Sequence, residues 1–444
     1  MRTSRRPGPT IWRSATGTGR FRSATARCPP GIRARRNMPA PSISSASATP
    51  TARSTCRAAG SGGTDRFSPR RPCSLRDYGV MVASSRPERP PARLRHREFR
   101  SAMRPSDIGV FDHVDRRPDI SLQQYYEDRM AAVEAFDVAG FHSYHVAEHH
   151  ATPLGMAPSP SVYLAAVAQR TKRLRFGPLV YQLPIYHPLR LIEEIRMLDQ
   201  MSGGRLDIGF GRGASPIELE IFGMPAEKSF AVYEESLNLM MQGLQCDGSF
   251  SFRGEFHSFE DVPIALEAFQ KPHPPIWYGM HAPESAARAA RRGLNVVSLD
   301  DAPMTHDMTV AFREAWAESQ GGAPEPKIGI GRFIVVGETE EDALRIARRA
   351  YPVWHDSFNY LFHRHGSVPR HQRPREWDGI VAEKRALAST PEKIAAWVAE
   401  DMERSGANYL VGQFVFGDMT LEEALRSIRL FSDEVLPALG AVTV

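Results

Sequence analysis

Met103-Arg104-Pro105-Ser106-Asp107-Ile108-Gly109-Val110-Phe111-Asp112-His113-Val114-Asp115 decides between two ways of building an α/β protein. Asp107–Phe111 is a short apolar run of the kind that forms a buried parallel strand. A doubly wound sheet that binds dinucleotides would follow its first strand with Gly-x-Gly-x-x-Gly. No glycine stands between Phe111 and Leu122, where a helical pattern begins. That turn therefore points away from the open sheet.

Downstream, short apolar runs alternate with helical patterns. Leu122–Ala139 carries Met130, Val133 and Phe136 at helical spacing, and Gly140 stops it. Strands are expected at Ser143–Ala147, Leu174–Tyr181, Arg205–Phe210, Ile276–Gly279, Asn295–Leu299, Ile328–Val336 and Asn408–Phe416. Helices follow at Ser159–Gln169, His187–Met201, Phe230–Gln245, Glu284–Arg292, Thr305–Gln320, Glu340–Tyr360, Pro391–Ser405 and Leu421–Leu436. Strict alternation over this length predicts a (β/α)8 barrel, with excursions after strands 4 and 7. The second excursion, 363–385, is polar and rich in Arg, His and Pro, and reads as a lid loop.

Charge is unevenly spread. The chain has 444 residues, 56 basic and 51 acidic. Residues 1–100 hold 22 of the basic residues, all arginine, and only Asp65, Asp77, Glu88 and Glu98 of the acids. The remainder keeps 34 basic and 47 acidic residues, a net of −13. An acidic body of this kind is a poor partner for nucleic acid. No apolar run reaches the roughly 18 residues of a spanning helix, so no membrane partner is expected. Cys28, Cys56 and Cys73 lie in the first hundred residues and Cys246 is alone in the body, which fits a reducing, cytoplasmic setting. Residues 1–102, built from Arg, Ser, Ala, Pro, Gly and Thr, cannot bury enough apolar area to offset chain entropy and are expected to be disordered. A transit peptide, a nucleic-acid arm and a misassigned start compete for this segment; Met103 is the expected natural start of a 103–444 barrel.

A barrel places chemistry at the C-terminal ends of its strands. Strand 2 ends in Glu148-His149-His150, where a histidine base would suit neutral pH, although adjacent histidines are also ordinary surface residues. His145-x-x-Glu148-His149 spells an inverted zinc-peptidase pattern, but that grip needs a helix and Tyr144 and Val146 argue for a strand. Strand 4 ends in Gly209-Phe210-Gly211-Arg212-Gly213-Ala214, which admits close backbone approach and offers Arg212 to a phosphate or carboxylate, or is a plain Gly-rich turn. After strand 5, His281-Ala282-Pro283-Glu284-Ser285 opens a helix whose amides and Ser285 hydroxyl could receive an anion, or simply cap the helix. Tyr181, Tyr186 and His187 close strand 3; His187 either caps the next helix or faces the pocket.

Together these motifs resemble the bacterial luciferase-like family of flavin-dependent monooxygenases over about residues 105–440. The resemblance rests on Glu148-His149-His150, Leu183-Pro184-x-x-His187-Pro188, Leu198-Asp199-Gln200-Met201-Ser202-Gly203-Gly204-Arg205, Gly209-x-Gly211-Arg212-Gly213, Pro283-Glu284-Ser285-Ala286, and the closing Ser389-Thr390-Pro391-Glu392 and Leu430-Phe431-x-x-Glu434-Val435-Leu436-Pro437. It implies a (β/α)8 barrel that takes reduced FMN (FMNH2) from a separate flavin reductase. With O2 it would insert one oxygen atom into a small apolar or carbonyl substrate through a flavin C4a-(hydro)peroxide.

On this resemblance His149, with Glu148 and His187, is the candidate catalytic group, with His149 managing the proton. Leu179, Val180, Arg212, Gly213, His281, Ala282 and Ser285 are the candidate cofactor residues. Leu179-Val180 matches a place where the family can have a non-prolyl cis peptide beside the flavin ring. No resident metal is expected. Gly211 stands where the luciferase α subunit has a reactive cysteine, which is expected to open room and puts light emission in doubt. His281 stands where that subunit has an acid. A homodimer or heterodimer is implied. Use of the deazaflavin F420 for hydride transfer is the main alternative, followed by a zinc hydrolase and a catalytically silent flavin-binding subunit.

Overall fold

Each of the eight strands read from the sequence is a strand of the structure, a computed structural model that describes residues 103–104, 107–369 and 372–441. These residues all fall in the unit Ser68–Val444. The extension 1–102, expected to be disordered, lies outside the described residues.

The chain runs β1 (Ile108–Asp112), α1 (Leu122–Ala139), β2 (Ser143–Val146), α2 (Pro160–Arg170), β3 (Arg175–Pro178), β4 (Tyr181–Gln182), α3 (Pro188–Ser202) and β5 (Ile208–Gly211). It continues through α4 (Pro216–Ile221), α5 (Ala226–Gln245), β6 (Gly248–Arg253), β7 (Ser258–Ile264), β8 (Ile276–Gly279), α6 (Pro283–Arg291), β9 (Asn295–Ser298) and α7 (Ala302–Ser319). It ends with β10 (Ile328–Val336), α8 (Glu340–Arg364), α9 (Trp377–Ala382), β11 (Ala386–Ser389), α10 (Pro391–Ser405), β12 (Tyr409–Gln413), α11 (Leu421–Leu430), a π turn at Phe431–Val435 and α12 (Leu436–Ala441).

Pairing follows the order β3-β2-β1-β12-β10-β9-β8-β5-β4, parallel throughout. The two ends of this path, β3 and β4, are halves of one strand interrupted at Leu179-Val180. The first half pairs with β2 and the second with β5, through Tyr181↔Phe210 and Gln182↔Gly211. A bridge between Phe176 and Leu206 seals the lower part of the seam. The path is therefore a barrel of eight staves. Strands β1, β2, β10 and β12 are buried along their whole length, as expected of a parallel barrel covered by helices. Gly140 ends α1 where the sequence placed a stop, and Gly203 ends α3 in the same way, each in the left-handed region.

Both expected excursions are present, and both carry structure that periodicity did not show. After β5 the chain forms an exposed antiparallel hairpin, β6–β7, anchored where Glu235 accepts the backbone N–H groups of Glu255, Phe256 and His257. The stretch 363–385, read as a loop, includes the end of α8 and the helix α9. Trp377 and Ile380 of α9 are buried in an aromatic cluster with Tyr351, Trp354 and Phe416, which fixes the segment against β10. β11 then pairs with the upper half of β10.

A buried charge cluster ties α1 to the mouth of the barrel. Arg129 lies 3.4 Å from Asp112 and 3.3 Å from Asp115, and donates to the carbonyl of Val415. Asp112 accepts from Tyr144 and from the Val114 amide, and Asp115 from the Gly417 amide. Arg129→Met leaves two buried carboxylates without their cation, and unfolding free energy at neutral pH should fall by about 3–5 kcal/mol, read by urea titration.

Candidate functional site

The site is built where β2, β4 and β5 end. Beyond β2 the chain places Glu148, His149 and His150. Beyond β5, Ser215 caps the short helix α4 by accepting the N–H of Glu218. Ser215-x-x-Glu218 has the spacing of a capping box, whose acid would turn back to its own cap. Here the Glu218 side chain reaches across instead. Its Oε1 lies 3.0 Å from His149 Nδ1, and its Oε2 accepts the His150 amide at 2.9 Å and Gln182 Nε2 at 3.2 Å. Burial opposes ionisation of Glu218, but the His149 charge and these hydrogen bonds outweigh it and hold the carboxyl below its usual range. With a carboxylate at Nδ1, the imidazole keeps its proton there and presents Nε2, which has no hydrogen-bond partner among the described residues, as the group able to exchange a proton.

Glu148 has a different role. Its Oε1 lies 2.8 Å from His150 Nε2 and its Oε2 accepts the Tyr186 hydroxyl at 2.9 Å. Burial pushes its pKa up, against the pull of His150 and Tyr186. It is a buried brace between the ends of β2 and β4, completed by Gln182 Nε2 donating to the Glu148 carbonyl at 2.9 Å.

Two site residues were not foreseen. Glu218 is one; it is 69 positions from His149, and only folding brings them together. His113, just past β1, is the other. Its ring stacks on His149 with centroids 5.7 Å apart, and Trp354 Nε1 approaches its Nδ1 at 3.4 Å. Burial, then the nearby His149, holds His113 well below the ordinary histidine range, so it serves as a neutral wall. Beside these groups opens a pocket of about 110 Å³, bounded by His149, Thr152, Leu154, Ala214, Ser215 and Glu218 on the barrel side and by Phe358, Leu361, Phe362 and Pro369 above. A mostly apolar pocket of that order takes a small organic molecule.

The candidate cofactor residues lie on the neighbouring staves. Leu179-Val180 is a cis peptide. Arg212 is exposed and has no ion pair or hydrogen bond among the described residues. β5 and β8 are neighbouring strands paired through Gly209↔Trp277, and Arg212 follows directly on the end of β5 while His281 and α6 follow on the end of β8. An uncompensated guanidinium at a strand end fits a phosphate. Ser285 differs from expectation: its hydroxyl accepts the amides of His281 and Ala282, each at 3.2 Å, and donates to the Ala282 carbonyl at 2.7 Å. Those amides are thus engaged by the capping serine rather than open.

The expected space at Gly211 is also filled. A Cβ there would stand 2.3 Å from Val180 Cγ2, so Val180 occupies the volume a side chain would take. His187 is exposed at the N-cap of α3, with its ring against Phe259 of the hairpin, and is not among the residues that line the pocket beside His149. Tyr181 is fully buried and bonded to Ser161. His145, the first member of the zinc-like spelling, is buried inside the barrel against Trp277, with burial lowering its pKa to about 3. It lies on a strand, so it shares no helix face with His149. Among the described residues no group of three potential ligands could hold a metal ion.

The luciferase-like monooxygenase family matches residues 106–409. The chain belongs to that family. A protein of Sinorhizobium fredii, y4wF, is 38% identical over 334 residues, covering 75% of this chain and 97% of that one. The oxygenase component of flavin-dependent trigonelline monooxygenase from Acinetobacter baylyi is 30% identical, covering 69% of this chain and 82% of that one. Among solved structures, monooxygenase RslO1 from Streptomyces bottropensis superposes with a TM-score of 0.68 at 27% identity, covering 74% of this chain and 99% of that one. The last two of these are named monooxygenases, and the fold is shared with RslO1. Among the described residues no helix is long and apolar enough to cross a membrane.

The interlock of Val180 with Gly211 is open to direct measurement. Gly211→Ala should cost about 1–3 kcal/mol through overpacking. Combined with Val180→Ala it should cost less than the two single losses added, as read from denaturant midpoints of the double-mutant cycle.

Proposed function

We propose that this chain is the oxygenase component of a two-component monooxygenase, using reduced FMN from a separate flavin reductase, and O2, to oxygenate a small organic substrate. One atom of O2 enters the substrate and the other leaves as water, with two electrons drawn from the reduced flavin. The observation that carries this reading is the His149–Glu218 pair on the wall of a pocket fit for a small organic molecule, with the unpaired Arg212 a few residues before Glu218 on the same loop. The flavin-dependent name of the trigonelline relative supports it.

Arg212, the Gly213 backbone and the loop at His281, Ala282 and Ser285 would hold the FMN phosphate, with Ser285 releasing its amides to the anion. Leu179 and Val180 would lie against the ring system. Bound reduced FMN supplies the electrons that activate O2. The chain's own residues do the remainder. Glu218 fixes the His149 tautomer and aims Nε2, and Nε2 gives or takes a proton as the oxygen is transferred. Leu154, Phe358, Leu361 and Phe362 keep water from the pocket. Glu148 braces, and His187 is at the N-cap of α3 with its ring against Phe259. The buried Cys246 and the acidic body fit a cytoplasmic enzyme.

His149→Ala should leave the FMN dissociation constant within about twofold and lower kcat by about 10²–10⁴-fold in a reductase-coupled assay of product formation. Undiminished turnover would remove His149 from the mechanism. Arg212→Ala should weaken FMN by tenfold or more and riboflavin by less than about twofold, since only FMN carries the phosphate. Equal losses for both ligands would place the phosphate elsewhere. Tight binding of F420 in place of FMN, with hydride transfer and no O2 uptake, would favour the deazaflavin reading.

A further inference from the structure

The excursion after β10 gathers hydrogen-bond donors that have no acceptors. Arg373 lies with its Cζ 5.8 Å from the Trp354 ring centre and 5.7 Å from that of Phe358. Its side chain makes no ion pair or hydrogen bond among the described residues. Stacking satisfies the face of a guanidinium and leaves its in-plane N–H groups unused. The position is built rather than incidental. The Arg373 carbonyl is 3.0 Å from His355 Nε2, and two residues on, Arg375 forks onto Asp356 at 2.9 and 2.8 Å.

Three further donors nearby lack partners. Tyr351 Oη, Trp377 Nε1 and Arg385 Nε are buried and unbonded. The Tyr351 ring stands 5.7 Å from Trp377 and 5.5 Å from Trp354. Burial pushes the Tyr351 hydroxyl up to about 12, while Arg373 and Arg385 both pull it back, which places the two guanidinium groups within electrostatic reach of it. Arg385 already engages Glu383 through Nη1 and the Leu299 carbonyl through Nη2, so the Arg373 guanidinium and the Tyr351 hydroxyl are the groups left to take an anionic acceptor from outside.

The same cluster adjoins the reaction pocket. Phe358, under Arg373, lines that pocket with His149, and Trp354 touches His113, which stacks on His149. We propose that the substrate is a small carboxylate with an apolar body, its carboxylate held by Arg373 with Tyr351 and its body lying on Phe358 toward His149. This assignment rests on the oxygenase reading above and is separate from the phosphate site at Arg212. Arg373 is then the residue that selects the substrate.

The test uses the full chain and follows tryptophan fluorescence, to which Trp354 and Trp377 contribute, during titration with benzoate, its neutral isostere benzamide and inorganic phosphate. Benzoate should bind at least tenfold more tightly than benzamide. Arg373→Gln should cost at least tenfold for benzoate and nothing for benzamide; Arg373→Lys should recover part of the loss. A thermal melt of each variant matching that of the parent assigns these losses to recognition rather than folding. All Arg373 variants should bind FMN within twofold of the parent. Failure of benzoate to bind, equal binding of benzoate and benzamide, or indifference to Arg373→Gln would overturn the proposal. So would phosphate competing as tightly as benzoate, or Arg373→Gln weakening FMN as Arg212→Ala does. Loss of FMN binding by the parent would instead sink the oxygenase reading and leave the carboxylate discrimination to be judged by its own titration.

Discussion

One constraint organises the molecule: a single stave, β3 with β4, must pair with β2 along its lower half and with β5 along its upper half. That shared stave closes the ring, and its upper end carries Gln182. From there the Gln182 amide reaches the Glu148 carbonyl at 2.9 Å and the Glu218 carboxylate at 3.2 Å. The ends of β2 and the loop after β5 are thereby referred to the same side chain. Val180 against Gly211 sets how closely the two staves approach at that level. The geometry of the His149–Glu218 pair is a consequence of this closure.

Behind β1 a second element of order holds the wall opposite. Arg129 with Asp112 and Asp115 fixes the turn that presents His113, and the Gly417 amide on Asp115 joins the loop after β12 to it. Replacing a buried ion cluster by apolar residues is often neutral for stability, so its presence here is better explained by position than by energy. It sets where a neutral histidine stands against His149.

The eight staves were legible because each parallel strand is buried on both faces and so reads as an unbroken apolar run between helical patterns. The glycine stop at Gly140 was legible because a left-handed cap calls for glycine. The hairpin β6–β7 was not. Its residues are largely exposed and its register shifts between Phe250 and Phe252, so no clean alternation marks it. Helix α9 was hidden inside a polar stretch because only Trp377 and Ile380 anchor it. At the site, His149 and Arg212 could be picked from strand ends. Glu218 could not, since its spacing from Ser215 already has an ordinary use as a cap. His187 looked eligible because it sits at a strand end in the sequence, yet the 3-10 turn Leu183–Ile185 carries it out onto the start of α3.

Arg212 and Glu218 are separated by a single short stretch, Gly213-Ala214-Ser215-Pro216-Ile217. One of these groups is suited to grip an anion and the other aims the imidazole. They ride on the same few peptide units, and the Ser215 hydroxyl ties that stretch to the first turn of α4 by accepting the Glu218 amide, so the backbone that carries the guanidinium and the backbone that aims the imidazole are one short piece of chain.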